Sequence, residues 1–397
     1  MSGNKTFGHC IDTMKINLPY RGVEQGPIRP PSEAHSLLIR VTRNCPWNQC
    51  TFCPLYKDEK FSIRPVEDIK RDIDTIARHI GQLRVLAGRT GELASDAVRR
   101  LHAQLEPEEQ PGFEAALYWF VGGMESVFLQ DANSLVVKPH RLMEILTHLK
   151  AHFPGIRRIT SYARSQTIAK IKDEDLRALR EAGLNRLHIG MESGSDTVLQ
   201  QVKKGATKAI HIMAGRKVIQ AGMELSEYYM PGLGGQDHSR EHALESADAL
   251  NQIGPHFIRL RTLAIPRTTA LFAAYQAGRF RKCTELMVVA EIRLFLQHLN
   301  GIDSMVKSDH SLNLFPTLEG RLPQDKGRML QLLEDFLAAA PERQRLYQVG
   351  RRCGLLGQPG DLDNPILSSQ VEQVCCSLGV TAANVDPITD ALMQRLI

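Results

Sequence analysis

Long hydrophobic runs are absent from this chain. Its apolar stretches, such as Ala115–Val121, fall far short of the roughly 20 residues that a membrane-spanning helix needs. The first nine residues, Met-Ser-Gly-Asn-Lys-Thr-Phe-Gly-His, lack the apolar core of a secretory signal. Eight cysteines in 397 residues are too few and too irregularly spaced for a disulfide scaffold. We therefore expect a protein of the reducing cytoplasm without a membrane partner.

The chain also lacks a strong charge of one sign, internal repeats and low-complexity segments. A net charge of +5 is mild, and lysine and arginine are scattered among the acidic residues, so nucleic-acid binding is not indicated. With 43% hydrophobic and 23% charged residues, the composition is that of an ordinary globular protein. The length suits one large domain and a smaller one.

Short β-rich runs alternate with longer helical patterns between Ser36 and about Leu263, which is typical of β-α units around a parallel sheet. Six units of this kind predict an α/β fold that curls into a partial barrel, with chemistry at the carboxyl ends of the strands. The predicted strands are Ser36–Thr42, Ser126–Gln130, Arg158–Ser161, Arg186–Ile189, Glu224–Tyr229 and His256–Thr262. The helices between them include Pro139–Phe153, Asp173–Ala182, Lys208–Ala221 and Arg240–Ile253.

The pattern predicts three regions. Residues 1–35, rich in proline, are expected to form an extended arm that packs across the barrel or stays mobile. Residues 36–266 form the barrel, in which a helical insertion at about 66–111 separates the first two strands, either as a functional element or as a solvated decoration. Residues 267–397 are expected to form a helical C-terminal region, with no further turn of the barrel.

Three cysteines occupy one short loop directly after the first predicted strand: Cys45, Cys50 and Cys53. Three thiolates can hold three irons of a [4Fe–4S] cube and leave the fourth iron free for a substrate, whereas four thiolates close the cluster for electron transfer. One alternative is a zinc site, which requires a fourth ligand. The other is a set of unrelated buried cysteines.

The three-cysteine loop resembles the signature of the radical S-adenosylmethionine (SAM) enzymes, which is C-x3-C-x2-C with an aromatic residue before the last cysteine. Phe52 fills the aromatic position. The chain departs from the pattern because four residues, 46–49 (Pro-Trp-Asn-Gln), separate the first two cysteines. The resemblance implies a partial (β/α)6 TIM-like barrel, a [4Fe–4S] cluster bound by Cys45, Cys50 and Cys53, and SAM as the second cofactor.

In this family the end of the second barrel strand often carries Gly-Gly-Glu, which holds the amino group of SAM. A Gly-Gly-Met-Glu segment begins at Gly122, but the apolar run before it predicts a helix that Gly122 and Gly123 terminate. On this interpretation Asp131 and Asn133 occupy the turn that faces SAM. The glycine pair is the alternative.

The later strand ends carry further residues with roles implied by the resemblance. Ser161, Tyr162 and Arg164 are expected to line the barrel mouth, where a hydroxyl suits a ribose and a guanidinium suits a carboxylate; core or surface packing is the alternative. Glu192, within Gly-Met-Glu-Ser-Gly, is expected to bind a ribose hydroxyl or an ammonium group, with a structural ion pair as the alternative. Lys204 is expected near the SAM carboxylate, unless it is a solvated lysine.

The fifth and sixth predicted strands also end in segments for which the resemblance implies a role. The glycine-rich turn at residues 230–235 is implied to support the adenine of SAM through its backbone. Arg259 and Arg261, on the sixth strand, are expected either to contact substrate or adenine or to face solvent. The remaining cysteines, Cys10, Cys283, Cys353, Cys375 and Cys376, lack the paired spacing of a second cluster and are interpreted as structural.

The resemblance implies a reaction. An electron from a reductant such as flavodoxin or ferredoxin passes through the cluster and cleaves SAM to methionine and a 5′-deoxyadenosyl radical, which abstracts hydrogen from an unidentified substrate. The alternatives are a non-catalytic protein that carries zinc or an iron–sulfur cluster, and an RNA-modifying radical SAM enzyme. Iron content, SAM binding and the salt dependence of RNA binding distinguish these alternatives.

Overall fold

An eight-stranded sheet organises the chain, of which the computed structural model describes residues 19–89 and 91–396. Its strands are β1 (Leu37–Arg40), β4 (Ser126–Gln130), β5 (Arg158–Ala163), β6 (Leu184–Glu192), β7 (Glu224–Tyr229), β8 (Phe257–Leu260), β9 (Met305–Lys307) and β10 (Gly320–Arg321), in that spatial order. Neighbours from β1 to β9 are parallel, and β10 is antiparallel to β9. A separate antiparallel ribbon pairs β2 (Thr42–Arg43) with β3 (Ser62–Ile63).

Helices cover the outside of the sheet. They are α1 (Val66–Ala87), α2 (Ser95–Ala103), α3 (Gln110–Val121), α4 (Pro139–His152), α5 (Ser165–Ile168), α6 (Asp173–Glu181), α7 (Asp196–Gln201), α8 (Lys208–Gln220), α9 (Gly235–Ile253), α10 (Ala270–Gln276), α11 (Glu285–His298), α12 (Lys326–Ala338), α13 (Pro341–Arg352), α14 (Pro365–Ser377) and α15 (Val385–Met393). In the described part of the chain, α1, α4, α6, α8, α9, α11 and α12 pack each against the next. No helix of that part is both long and apolar enough to cross a bilayer.

The two faces of the sheet differ in polarity. Because side chains alternate along a strand, one face of β1, β4, β6 and β7 carries apolar residues that pack under the helices, such as Ile39, Leu129, Ile189 and Leu225. The opposite face points into the barrel and carries Tyr162, His188 and Arg259, all largely buried. The fold is therefore the α/β partial TIM-like barrel that the sequence predicted, and the structure shows that its interior is polar.

Most predicted elements occur close to their predicted bounds. β4 and β7 match residue for residue, and α8 differs by one residue at its end. Helix α3 ends at Val121, Gly122 caps it, and Gly123 has a φ of 87°, a left-handed conformation that favours glycine. The interpretation of these two glycines as a helix end is confirmed.

The C-terminal region differs from the prediction in one respect. It is mostly helical, but Met305–Lys307 pairs with β8 as a seventh parallel strand, so the barrel continues beyond the predicted six units. The expectation of no further barrel turn after residue 267 was wrong. Three residues are too few to produce a periodic signal, and register with β8 rather than local preference places this strand.

The described part of the N-terminal arm packs against the barrel. Gly26 exchanges hydrogen bonds with the Gln130 side chain, donating to Oε1 at 2.8 Å and accepting from Nε2 at 3.0 Å. Glu33, fully buried, accepts from Ser36 Oγ at 2.6 Å and lies 3.5 Å from Nε2 of His188. Residues 1–18, and with them Cys10, lie outside the described residues.

The segment between β1 and β4 is helical, as predicted. Its first helix, α1, packs against β1, α3 and α4 and buries Ile69, Ile73 and Ile76 in the main core. A solvated decoration would leave these residues exposed. At least α1 is therefore part of the helical layer that covers the barrel.

His211, on α8, makes stability depend on pH. Its ring is buried, Nδ1 is 2.7 Å from Ser165 Oγ, and burial lowers its pKa from 6.5 to about 3. Because the unfolded chain takes up this proton first, stability is present above pH 6.5 and is lost as the pH falls towards 3. We expect His211→Gln to remove about 1.4 kcal/mol per pH unit of this dependence between pH 6 and 4. Denaturant unfolding at several pH values measures the slope, and exposed His140→Gln should leave it unchanged.

Candidate active site

The three cysteines lie in the loop that joins β2 to β3, above the carboxyl end of β1. All three are free and partly buried. Asn44 and Asn48 adopt left-handed φ angles of 66° and 45°, which asparagine tolerates better than most residues. Lys57 Nζ donates to the carbonyl oxygens of Asn48 at 2.8 Å and of Cys50 at 3.1 Å, so the loop closes on itself.

The loop is also attached to two later segments. Thr51 donates its backbone N–H to Val202 O at 3.0 Å, and its carbonyl accepts from the N–H of Leu271 at 2.9 Å. Trp47 Nε1 donates to Lys203 O at 2.8 Å. These contacts tie the loop to the segment after α7 and to α10, although both are distant in sequence.

Trp47, one of the four residues between the first two cysteines, makes structural contacts. Its ring packs on Gly205, where a Cβ would come within 2.4 Å of the ring, and the Arg164 guanidinium lies 4.8 Å from its centre. In the sequence, Trp47 was considered only as part of the longer spacing between the cysteines. Its large apolar ring between two cysteines was the signal that could have identified it.

Gly205→Ala should test this contact. We expect it to displace Trp47 and to cost about 1–3 kcal/mol more than alanine at a glycine with the same backbone but open surroundings. Gly278 is that control, since its φ of 69° matches the 71° of Gly205 and nothing lies within 4 Å of its Cβ position. Unfolding free energies and iron retention measure the difference. Equal losses in both variants would show that Trp47 does not depend on Gly205.

Positive charge surrounds the cysteines. Burial raises the pKa of the Cys50 thiol, and the charges of Lys204 and Arg164 oppose that rise. Burial likewise raises the pKa of Cys53, which the backbone N–H of Leu55 and then the charge of Arg261 oppose. Cations in this position favour thiolates, the form that binds metal.

The loop supplies three thiols, whereas a structural zinc site is closed by four ligands. The donor set of three thiolates on one loop fits an iron–sulfur cube with one open iron.

Asp131 and Asn133 lie at the end of β4 as predicted, but each has protein partners. Arg40 Nη2 and Asp131 Oδ2 form a buried ion pair at 2.7 Å. Asn133 joins two strand ends, because its Oδ1 accepts from the N–H of Arg164 at 3.2 Å and its Nδ2 donates to Thr167 Oγ1 at 2.8 Å. The structure thus gives both residues a positioning role, and contact with SAM stays a prediction.

Ser161 is not brought to the barrel mouth with Tyr162. It lies on the opposite face of β5, fully buried, and donates to Leu129 O at 3.3 Å. Strand alternation separates neighbouring residues in this way. Arg164 does reach the cysteine loop, where its Nη2 donates to Lys204 O at 2.6 Å.

Glu192 and Lys204 meet beside the cysteine loop. Lys204 Nζ is 3.2 Å from Glu192 Oε1, and it lies 5.9 Å from the centre of the Phe52 ring. Gly190 makes room for the pair, because a Cβ there would be 2.4 Å from Glu192 Oε1. Glu192 Oε2 is buried and has no hydrogen-bond partner among the described residues. The structure therefore shows the ion pair and also leaves one carboxylate oxygen able to accept a hydrogen bond.

The mouth opposite the cysteine loop is formed by β7, β8 and the segment after β9. Arg259 is buried and pairs with Asp309, which excludes the alternative that it faces solvent. Two residues later, Arg261 is partly exposed, and its positive charge contributes to lowering the pKa of His310 to about 4, although burial is the larger cause. The mouth thus presents a cation and a neutral imidazole.

The glycine-rich turn after β7 is fixed by the C-terminal region. Glu291, on α11, accepts from the N–H of Gly232 at 2.7 Å and from the hydroxyl of Tyr229 at 3.0 Å. Glu227, on the outer face of β7, is fully buried, and burial raises its pKa well above the ordinary value. Sequence reasoning missed both acids, since neither lies in a recognisable motif.

Comparisons with known proteins identify a family. The family model of the radical SAM superfamily matches residues 39–247, which is more than half of the chain. No curated protein matches it in sequence.

Several solved structures are similar to this chain. Methylornithine synthase (PylB) is 18% identical with a TM-score of 0.40, over 67% of this chain and 63% of that one. Coproporphyrinogen III oxidase (HemN) from Escherichia coli is 15% identical with a TM-score of 0.43, over 66% and 52% of the two chains. The cobalamin-dependent SAM radical enzyme OxsB is 12% identical with a TM-score of 0.42, over 91% and 54%. The present chain thus spans less than two thirds of the length of each.

Proposed function

Because the chain belongs to the radical SAM superfamily, we propose that it generates a 5′-deoxyadenosyl radical at the three-cysteine loop and uses it to abstract hydrogen from a substrate at the barrel mouth. The protein is a radical SAM enzyme, and its cofactors are a [4Fe–4S] cluster and SAM. Membership in a superfamily of enzymes also removes the non-catalytic carrier from consideration.

The observation that carries the proposal is the spacing of three free cysteines on one loop at the carboxyl end of β1. The other described cysteines, Cys283, Cys353, Cys375 and Cys376, lie outside this loop. The chemistry that the cluster and SAM would supply when bound is reductive cleavage of a carbon–sulfur bond of SAM, which gives the radical. The identity of the substrate is left open.

The proposed role of the chain's own residues is to bind and orient the cluster and SAM. Lys204 and Arg164 place positive charge beside Cys50, and this charge favours its thiolate form against the effect of burial. We propose that Lys204 also receives a carboxylate of SAM and that Glu192 Oε2 accepts from an ammonium or a hydroxyl group, because the two side chains meet beside the loop and Oε2 has no hydrogen-bond partner among the described residues. Phe52, whose ring lies beside Lys204, covers one side of this position. We assign Asp131, Asn133 and Ser161 supporting roles, since each is engaged in protein contacts.

The test is anaerobic formation of 5′-deoxyadenosine by the reconstituted enzyme. Protein carrying about four irons per chain is incubated with SAM and dithionite, or with reduced flavodoxin or ferredoxin, with and without cell extract as a source of substrate. Formation of 5′-deoxyadenosine supports the proposal. Its absence under all of these conditions, despite a complete cluster, contradicts it.

RNA modification is the alternative substrate class. A chain with a net charge of +5 does not require a nucleic acid, and no basic stripe is visible in the sequence. RNA binding that weakens steeply with salt would mark this alternative.

A further inference from the structure

Three potential metal ligands meet on the outer helical layer, away from the cysteine loop. They are Asp74 on α1 and His148 and His152 at the end of α4. Helix α4 leads into the amino end of β5, whereas the cysteine loop follows the carboxyl end of β1. The two places are therefore at opposite ends of the strands, and no part of the proposed reaction uses these three side chains.

The spacing of the two histidines brings them to the same side of α4. Residues four apart in a helix lie one turn apart on one face. Helix α1 runs beside α4, and one turn earlier Lys70 forms an ion pair with Glu144. The same step of four on both helices places Asp74 opposite His148, so a third ligand from α1 completes the group.

The distances suit a single ion. His148 Nε2 is 2.7 Å and His152 Nε2 is 3.2 Å from Asp74 Oδ1, and the three ligand atoms all lie within 4.8 Å of one another. Zinc bonds of about 2.0–2.2 Å to nitrogen and oxygen place neighbouring ligand atoms roughly 3–3.5 Å apart. Small side-chain adjustments would bring all three atoms to that separation.

The hydrogen bond made by the second ring nitrogen of His152 is a further observation that fits a metal ligand. His152 Nδ1 lies 3.1 Å from the carbonyl oxygen of His148. A carbonyl oxygen only accepts, so Nδ1 carries the proton, and in the neutral ring Nε2 is an acceptor. Nε2 nevertheless faces the acceptor Oδ1 of Asp74. Two acceptors at this distance need a proton or a cation between them, and an Nδ1–H bonded to a carbonyl is how metal-bound histidines are commonly oriented.

We propose that Asp74, His148 and His152 bind a divalent transition-metal ion, Zn²⁺ in particular, which links α1 to α4. Imidazole nitrogen and carboxylate oxygen suit zinc and its neighbours, whereas magnesium and calcium prefer oxygen ligands alone. The side chains of Asp74, His148 and His152 are 52%, 26% and 33% exposed, so water can complete the coordination. Binding to the folded state only would stabilise the two helices in proportion to the zinc concentration.

The experiment uses reconstituted, anaerobic holoenzyme, so that iron already occupies the cysteines, and excess iron is removed with a chelator. Zn²⁺ alone is titrated at pH 7.5 against a competing indicator, and zinc per chain is measured after desalting. We expect one zinc ion per chain, and His152→Ala should weaken its binding by at least roughly 10–100-fold, the scale on which even outer-shell changes act. His140→Ala, an exposed histidine on the same helix outside the group, should leave binding unchanged.

One further readout decides the location. X-ray absorption of the bound zinc should show nitrogen and oxygen ligands without sulfur. Sulfur ligation would assign the zinc to the cysteine loop and overturn the proposal. Absence of zinc from the wild-type protein, or equal binding by wild type and His152→Ala, would overturn it as well. None of these outcomes depends on 5′-deoxyadenosine formation.

Discussion

Simultaneous replacement of Cys45, Cys50 and Cys53 by alanine is expected to abolish both iron binding and 5′-deoxyadenosine formation while the barrel stays folded. The three thiols are the only described cysteines on the loop after β2, and positive charge from Lys204 favours the thiolate forms of Cys50 and Cys53. Their partial burial makes the direct cost to stability small, within about 1–2 kcal/mol. Iron content after reconstitution, product formation from SAM, and thermal unfolding of the metal-free proteins measure the three effects.

Two exposed cysteines provide the control for this variant. Cys353 and Cys376 are exposed and lie in the helical C-terminal region, so their double replacement by alanine should leave iron content and product formation unchanged. If the triple variant still assembled a cluster, or still formed product, the assignment of Cys45, Cys50 and Cys53 would be wrong. If the control variant lost iron, the C-terminal region would hold a second metal site.

Much of the barrel could be predicted because its strands and helices have strong periodic patterns. The buried strands β4 and β7 are bounded by turn signals, and α8 has a clear capping residue in Thr207, which accepts from the N–H of Ile210. By contrast, β9 is three residues long and has no pattern of its own. Elements that depend on register with an existing strand are not visible in local sequence.

The candidate site, too, has features that could not be predicted from local sequence. The cysteines were found from their spacing in one short loop, and Glu192 from the resemblance of its Gly-Met-Glu-Ser-Gly segment. Both lie at strand ends, which converge in a parallel barrel, and this rule needs only the order of elements. The rule cannot tell which side of a strand a residue occupies. Ser161 and Tyr162 are neighbours in sequence, yet one bonds Leu129 O on the helical side and the other faces the interior.

Contacts between residues far apart in sequence could not be predicted either. The ring of Trp47 meets Gly205, and Arg40 pairs with Asp131, across more than ninety residues in each case. The first contact involves the loop that carries the selected cysteines, and the second involves Asp131, which the sequence also selected. A single sequence carries no signal for such pairs, because each partner has an ordinary local environment.

Lys204→Met is the second variant with a large expected effect, and it acts on SAM rather than on the cluster. We expect SAM affinity to fall by roughly 10–100-fold, since a hydrogen bond to a charged group contributes about 1.5–3 kcal/mol. The variant also leaves Glu192 unpaired in a largely buried position, which destabilises the fold. The double variant Glu192→Gln/Lys204→Met removes both charges and separates loss of binding from loss of stability. Anaerobic titration of the iron-loaded protein with SAM measures the affinity.

Lys203 supplies a matched control for that experiment. It is exposed, it precedes Lys204 directly, and it contributes its carbonyl rather than its charge to the cysteine loop. Lys203→Met should therefore bind SAM and iron as the wild type does. Equal SAM affinities in the Lys203 and Lys204 variants would show that the ammonium group of Lys204 serves only the ion pair with Glu192. A selective loss in the Lys204 variants would place the carboxylate of SAM beside the cysteine loop and next to Glu192, whose Oε2 has no hydrogen-bond partner among the described residues.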